Sequence, residues 1–453
     1  MLTGVVGPSH VITEPSGKVS FETDWTRRFS GEALAVVRPA TTEEVVEVVR
    51  ACLKWRIPIV PQGGNTGLVG GGVPRGNGEQ IVLSMARLRL LDPVDEAAQE
   101  VTADAGVPLA DLQAHVAASG LFLGVDLASR DSATVGGLVA TNAGGARAFK
   151  FGSVRQQLVG VEAVLGTGAV VSRLANVRKD NTGYHLPSLL AGSEGTLGVV
   201  TRARFRLSPA PSHHLVILLG LHSVADAIRS VRLLERASDD IRAAELMLDA
   251  GMRLVLAVSS LTPPFGRSYP AYLLIEVAGR TDPTDHLLQA IETCPAADVA
   301  VGTDTTTRRG LWELRELHTE AIALRASEIG VVAHKLDVAV PPQRVAEFIE
   351  AAIGEVAATV PSAECYIFGH VGDGNLHINL VGDLADPDGI DERILQLTVG
   401  YGGSISAEHG IGTSKTRWLG LTRTDDEIQT MRAIKQALDP QGIMNPGVLL
   451  PAV

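Results

Sequence analysis

Apolar residues recur at helical spacing through VVEVVRACL, directly after Thr41-Thr42-Glu43-Glu44. Thr41 with Glu44 three residues on is a capping box, so the pattern predicts a helix running to about Trp55. The stretch 57–60 then reads as a short buried strand that opens at once into a glycine loop. A second helix is expected over about 109–118, leading into LFLGVD, and a third over TVGGLVATNA. VGVEAVLGTGAVVSR alternates apolar and polar positions on both sides of G-T-G, a hairpin pattern. HLPSLLAG and GSEGTLGVVTRARFRL follow as a short helix, a glycine turn and a strand. Helices mixed with hairpins predict an α+β fold rather than a doubly wound parallel sheet.

SPAPSHH, at 208–214, carries the composition of a boundary between domains. Beyond it, LVILLGL, AYLLIEVAG and HKLDVAVP read as strands, and helices are expected near 223–237, 283–293, 308–326 and 342–358. Strands alternating with helices in this order predict an antiparallel sheet backed by helices. Near its end comes GHVGDGNLHINL, residues 369–380, two short apolar runs about a G-D-G-N turn. It places His370, His377 and Asn379 where a plain hairpin would carry Val or Thr.

Composition changes this picture little. A chain of 453 residues exceeds one ordinary core, so two domains of roughly 150–250 residues are expected. No apolar run approaches the roughly 18 residues of a membrane-spanning helix. The N-terminal stretch shows neither a secretory nor an import pattern, from which a cytoplasmic location is expected. The net charge of −12 is diffuse and would repel phosphate backbones, so nucleic acid is not an expected partner. Cys52, Cys294 and Cys365 are scattered and form no C-x-x-C, which speaks against disulfides and cysteine metal sites.

The chemistry begins with glycine. PQGGNTGLVGGG, at 61–72, follows a predicted strand, and its glycines let a ligand approach the backbone amides. It is neither a Rossmann G-x-G-x-x-G nor a Walker A loop. GVDLASRDSATVGG at 124–137, TNAGG at 141–145 and GSEGTLGVVT at 192–201 have the same character. One such loop is an ordinary turn, but four in one domain suit a long ligand such as a dinucleotide. PQGGNTG, SATVGGLVATNAGG, KDNTGYHL and GSEGTLGVVT, in this order, resemble the FAD domain of the vanillyl-alcohol oxidase type flavoproteins, in the branch of D-2-hydroxyacid dehydrogenases. The resemblance runs from about residue 32 to the C-terminus. Asp126-Leu127-Ala128-Ser129 departs from it only by lacking a second-position proline common among relatives.

The resemblance implies a two-domain flavoprotein. An N-terminal segment (1–31) precedes an FAD-binding domain (32–209), a substrate or cap domain (210–400) and a C-terminal segment (401–453) that completes the active site near the flavin. It implies FAD contacts from Pro61, Gly63, Gly64, Asn65, Thr66, Gly67 and Leu68, the loop on the pyrophosphate. Others come from Asp126, Ser129, Thr134, Gly137, Thr141, Asn142, Gly144 and Gly145, from Glu194, Gly198 and Val200, and from Asn445 in the closing motif DPQGIMNPGV. No histidine lies in the 61–72 loop, in keeping with FAD held noncovalently. His115 and His185 are expected to be structural or surface residues.

On an extended strand residues i and i+2 share a face, so His377 and Asn379 point the same way, and a tight turn can bring His370 opposite. Two converging imidazoles suit a divalent metal such as zinc, and they equally suit a hydrogen-bonded core pair. SISAEHGIG, at 404–412, adds Glu408 and His409. The resemblance implies His370, His377 and Glu408 on the metal, with Asn379 and His409 facing substrate. In LWELRELHTEAIALR, Arg315 and Thr319 share a helix face at i, i+4. With Lys335 in Lys335-Leu336-Asp337 they are implied to bind the substrate carboxylate, Lys335 lying a few residues farther along than in some relatives.

The expected activity is therefore FAD-dependent oxidation of a D-2-hydroxyacid to the 2-oxoacid, D-2-hydroxyglutarate first. A metal of Zn2+ type would assist deprotonation of the hydroxyl, with His409 as general base. An electron-transfer protein or a quinone is the expected acceptor, and a homodimer is one expected assembly. D-lactate dehydrogenase and the flavin subunit of a glycolate-oxidising complex are alternatives within the resemblance. A metal-dependent hydrolase, or a protein that only binds metal or nucleotide, is the alternative from another class.

Overall fold

The computed structural model describes residues 1–174, 177 and 179–451. The chain packs into two compact units, neither of them continuous in sequence. The first comprises residues 1–145, 152–209 and 408–453; the second comprises 146–151 and 210–407.

In the first unit, Val11–Ile12, Glu32–Val37, Asn77–Ser84 and Ile59–Gln62 form a four-stranded sheet in that order. Glu32–Val37 and Ile59–Gln62 both run parallel to Asn77–Ser84 between them. Its central residues, among them Val36, Ile59, Val60, Ile81 and Val82, are fully buried, the continuous apolar run that parallel strands need. The helix Thr42–Trp55 packs Val45, Val48, Val49 and Cys52 inward. Thr41 caps it by accepting from the Glu44 amide at 3.2 Å, while the Glu44 carboxylate turns back to the Ala40 amide at 2.6 Å. It ends at Arg56, whose φ of 53° is left-handed, two residues before Pro58. Each buried aliphatic side chain contributes roughly 1.5–3 kcal/mol and a cap about 1, so packing decides that this helix forms.

A second, antiparallel sheet in this unit orders Glu100–Asp104, Gly198–Arg206, Leu158–Leu165 and Val170–Arg173, the last two being the expected hairpin. The closing motif docks beside Ile59–Gln62: Met444 forms a parallel bridge with Ile59, and the Asn445 amide donates to the Ile59 carbonyl at 2.8 Å. His185 caps the helix Leu186–Leu190, and His115 bonds the Asp92 carbonyl at 2.9 Å.

The second unit is built on one antiparallel sheet of seven strands. Their order is Ala296–Gly302, His213–Leu221, Ala271–Gly279, Ile241–Leu248, Glu364–His370, Asn375–Val381 and His334–Ala339. Helices Asp249–Val258, Thr305–Glu316 and His318–Glu328 cover the face that carries Met247 and Phe368. The helix expected over 308–326 is thus two helices, because Leu317 (φ −71°, ψ −8°) interrupts the regular turn between Arg315 and Thr319. Both sequence-based expectations of architecture hold: the fold is α+β, and the second unit is a helix-backed antiparallel sheet. All three cysteines are free thiols, and burial pushes Cys52 and Cys365 up to about 12. Among the described residues no helix is long and apolar enough to cross a membrane.

Candidate active site

The glycine loops of the first unit come together. A side chain at Gly64 would place its Cβ 1.8 Å from the Ser132 carbonyl, and one at Gly63 would lie 2.3 Å from Thr134 Oγ1. Only glycine lets the 61–68 loop lie this close to 132–137. Gly195 packs on Pro61, the Glu194 amide bonds the Ala140 carbonyl at 2.8 Å, and Gly192 lies against Asn142. Gly145, at φ +88°, sits where a Cβ would strike the Asp126 carbonyl at 2.0 Å. Thr134 Oγ1 is buried without a hydrogen-bond partner among the described residues, an orphan oxygen beside Gly63. Buried polar atoms are ordinarily paired, so a close glycine cradle with an orphan hydroxyl suits a polar ligand such as the FAD pyrophosphate.

Other predicted FAD residues are engaged by the protein itself. Asn65 (φ 54°) donates to the Thr23 carbonyl at 2.9 Å, and Asp126 pairs with Arg130 at 3.0 Å. Thr141 Oγ1 donates to the Gly137 carbonyl, and Asn142 accepts from the Arg155 amide. Gly198 and Val200 lie in the strand Gly198–Arg206; Ser129 begins the turn at 129–133, its carbonyl accepting from the Ser132 and Ala133 amides. Gly144 is buried, Gly67 has nothing within 4 Å of a built Cβ, and Leu68 is half-buried. The Trp25 indole donates to the Thr66 carbonyl at 3.2 Å. Asn445 (φ 43°) knits three segments, donating to the carbonyls of Gly71 and Glu194 and accepting from Arg75.

The Glu194 carboxylate is buried and accepts from the amides of Ile411 and Gly412 at 2.8 and 2.7 Å. Burial pushes its carboxyl above the ordinary range, against those two donors and Lys415. Glu194 therefore anchors the loop that carries Glu408 and His409. Glu408 Oε2 accepts from the Gly145 amide at 2.7 Å, and its Oε1 lies 3.9 Å from His409 Nε2.

In the second unit, strand register assembles the polar residues. Glu245 lies opposite His370, Phe368 opposite His377, Asp337 opposite His377 and Lys335 opposite Asn379. Directly opposed residues share a face, as do residues i and i+2, so all of these side chains line one face of the sheet. The turn at Val371–Gly374 brings the His370 and His377 rings to 5.3 Å between centroids, at 86°. Gly374 (φ +82°) is required there, because a Cβ would meet the Val340 carbonyl at 2.0 Å. His370 Nδ1 bonds Glu245 Oε1 at 2.6 Å; Arg315 Nε donates to Glu245 Oε2 at 2.7 Å. Burial alone would push the Glu245 carboxyl up, but His370 and Arg315 outweigh it and hold it below its ordinary value. His377 Nδ1 lies 3.6 Å from Asp337 Oδ1, and Asp337 Oδ2 accepts from the Ala407 amide, immediately before Glu408 in sequence.

Arg315 stacks over Phe368 at 4.5 Å, and its two terminal nitrogens bond no group among the described residues. Thr319 is half-buried one helix onward, Lys335 is half-buried, and Asn379 is buried with its amide 3.4 Å from the Tyr366 and His377 carbonyls. Imidazoles and carboxylates are the donor set of a borderline divalent cation. Sequence reasoning missed Glu245, which sits in RAAELML, a run with helical rather than strand character.

A family described as "FAD binding domain" matches residues 33–173, and one described as "FAD linked oxidases, C-terminal domain" matches residues 210–449. This chain is an FAD-linked oxidase. It is an FAD-dependent oxidoreductase acting on a CH–OH group. "D-2-hydroxyglutarate dehydrogenase, mitochondrial" of Bos taurus is 36% identical over 98% of this chain and 82% of its own length. D-2-hydroxyglutarate dehydrogenase of Xanthomonas citri pv. viticola is 36% identical over 96% of the chain and 93% of its own. Among solved structures, 4-ethylphenol oxidase from Gulosibacter chungangensis superposes with TM-score 0.77 at 18% identity, covering 99% of this chain and 96% of that one. Alkyldihydroxyacetonephosphate synthase does so at 0.76 and 17%, covering 97% and 83%. These two likenesses establish the fold alone. The expectation of a cytoplasmic location is overturned, since relatives of this FAD-linked oxidase in Bos taurus, Danio rerio and Rattus norvegicus are named as mitochondrial.

Proposed function

We propose that this FAD-linked oxidase converts D-2-hydroxyglutarate to 2-oxoglutarate. The observation that carries the reading is the near full-length match, 36% identical over 98% of the chain, to a D-2-hydroxyglutarate dehydrogenase. The donor chemistry agrees with it. The terminal nitrogens of Arg315 offer a planar fork to a carboxylate, with Lys335 as a second cation and Thr319 and Asn379 as hydrogen-bonding groups. Two cations suit a diacid. His409 takes the proton of the 2-hydroxyl as general base, Asn379 orients that hydroxyl, and Glu194 holds the His409 loop in place.

When bound, FAD would supply the acceptor for the hydride equivalent lost from C2. Residues 61–68, Thr134 and Asn445 would hold it, noncovalently, since the loop 61–72 contains no histidine. His370, His377 and Glu408 would hold a divalent cation, zinc by the donor set, which lowers the cost of removing a hydroxyl proton. An electron-transfer protein or a quinone would be the acceptor of the flavin's electrons.

The test is an anaerobic flavin-reduction screen of the purified holoenzyme over D-2-hydroxyglutarate, D-lactate, D-malate and their L-enantiomers. Fast bleaching by D-2-hydroxyglutarate alone is the expected result. Equal or faster bleaching by D-lactate moves the substrate to the monoacid, and bleaching by none of the D-acids rejects the reading.

A further inference from the structure

Glu245 belongs to no motif, yet it touches two of the groups that the proposed reaction uses. It stands on Ile241–Leu248, its carboxylate is completely buried, and its strand partner is His370. One oxygen lies 2.6 Å from His370 Nδ1 and the other 2.7 Å from Arg315 Nε. We propose that Glu245 is a positioning residue that fixes, with one carboxylate, both the metal-facing tautomer of His370 and the carboxylate-binding edge of Arg315. The proposal rests on the reading of His370 as a metal ligand and Arg315 as a substrate anchor.

An ionised carboxylate withdrawn from water loses several kcal/mol of solvation unless both oxygens are matched. Here each oxygen has its own partner, from segments 70 and 125 residues away. When Nδ1 carries the proton donated to Glu245, the lone pair of His370 resides on Nε2, on the far side of the ring. A ligand histidine whose tautomer is fixed in advance need not reorganise to accept a cation.

Arg315 is treated in the same way. Its Nε is held by Glu245 and its plane lies over Phe368 at 4.5 Å, which leaves the edge formed by the two terminal nitrogens as the face offered to a carboxylate. Phe368 is also 5.2 Å from the His377 ring. Metal ligand and substrate anchor are thus registered against each other through one side chain, and disturbing that side chain moves both.

Glutamine is the discriminating replacement. Its single carbonyl oxygen can accept from His370 or from Arg315 but not from both, and an amide that donates to His370 Nδ1 instead drives the ring proton onto Nε2, so either an acceptor contact or the tautomer is lost. In Glu245→Gln holoenzyme, apparent affinity for Zn2+, measured by competition with a chelator and elemental analysis, should fall 10–100-fold. The KM for D-2-hydroxyglutarate should rise about 10-fold or more, with flavin content and the 450 nm band unchanged. Glu245→Asp, which keeps two acceptor oxygens, should recover part of both losses. Zinc affinity and KM both within twofold of wild type in Glu245→Gln would overturn the proposal.

If Glu245→Gln fails to retain flavin, histidine-labelled wild-type protein decides by nitrogen NMR: a proton on His370 Nδ1 supports the proposal, and a proton on Nε2 rejects it. Wild-type protein that takes up no Zn2+ would reject the metal reading, and the proposal with it. That outcome is distinguishable because it is seen before any variant is made.

Discussion

At the scale of single residues, the imidazoles divide by place. His370 and His377 stand within 5.3 Å of each other on one sheet face, whereas His409 follows Glu408 on a loop held by Glu194. Replacing His377 by Ala should remove bound zinc and turnover together, read by elemental analysis and anaerobic flavin reduction. His409→Ala should keep its zinc while flavin reduction slows by roughly 10²–10⁴, the usual contribution of a general base. Undiminished reduction in that variant would require another base. His370, His377 and Asn379 were legible in the sequence because they interrupt apolar strands. Glu245 was not, because a lone acid in RAAELML looks like the solvated side of a helix until the strand register places it against His370. The engagement of Asn65 by Thr23 was equally invisible, since it joins segments 42 residues apart with no pattern between them.

At the scale of elements, local chemistry predicted those that carry their own signals. Thr41 and Glu44 start the helix Thr42–Trp55, and the G-T-G turn joins Leu158–Leu165 to Val170–Arg173. Ile241–Leu248 and Ala296–Gly302 went unread because their strand character comes from neighbours in the seven-stranded sheet rather than from alternation. The turn at Val371–Gly374 gives an element-level prediction. Gly374→Ala meets both a left-handed φ of 82° and a carbonyl 2.0 Å from the new Cβ. The first alone costs about 1–2 kcal/mol, so the variant should unfold at lower urea and bind zinc more weakly, with its flavin spectrum retained. Urea titration followed by elemental analysis checks both. Thr424→Ala, at the capping box of Asp425–Leu438, should cost about 1 kcal/mol in the same titration and leave zinc unchanged.

At the scale of the molecule, charge and chain path matter most. Glu276 is buried in the second unit between Arg147 at 3.1 Å and His214 at 2.8 Å. Burial would raise its carboxyl, but His214 and Arg147 more than offset this and bring it down to about 2 from 4.5. A folded value below the unfolded one stabilises the native state above about pH 4.5, and that contribution disappears as pH falls toward 2. It amounts to something on the order of 3 kcal/mol. Urea midpoints of the wild type should therefore drop between pH 4.5 and 2 more steeply than those of Glu276→Gln. Arg147 lies in the 146–151 segment, which leaves the first unit and returns to it at residue 152. The same unit regains the chain only at Glu408, and Asn445, which ties Gly71, Arg75 and Glu194 together, comes later still. During synthesis at about 5–20 residues per second, the ribosome needs roughly 10–40 s to pass from Pro209 to Glu408. For that interval the nascent glycine loops wait without Asn445, and the hydrogen bonds that tie Gly71 and Glu194 to it form only after residue 445 has been made.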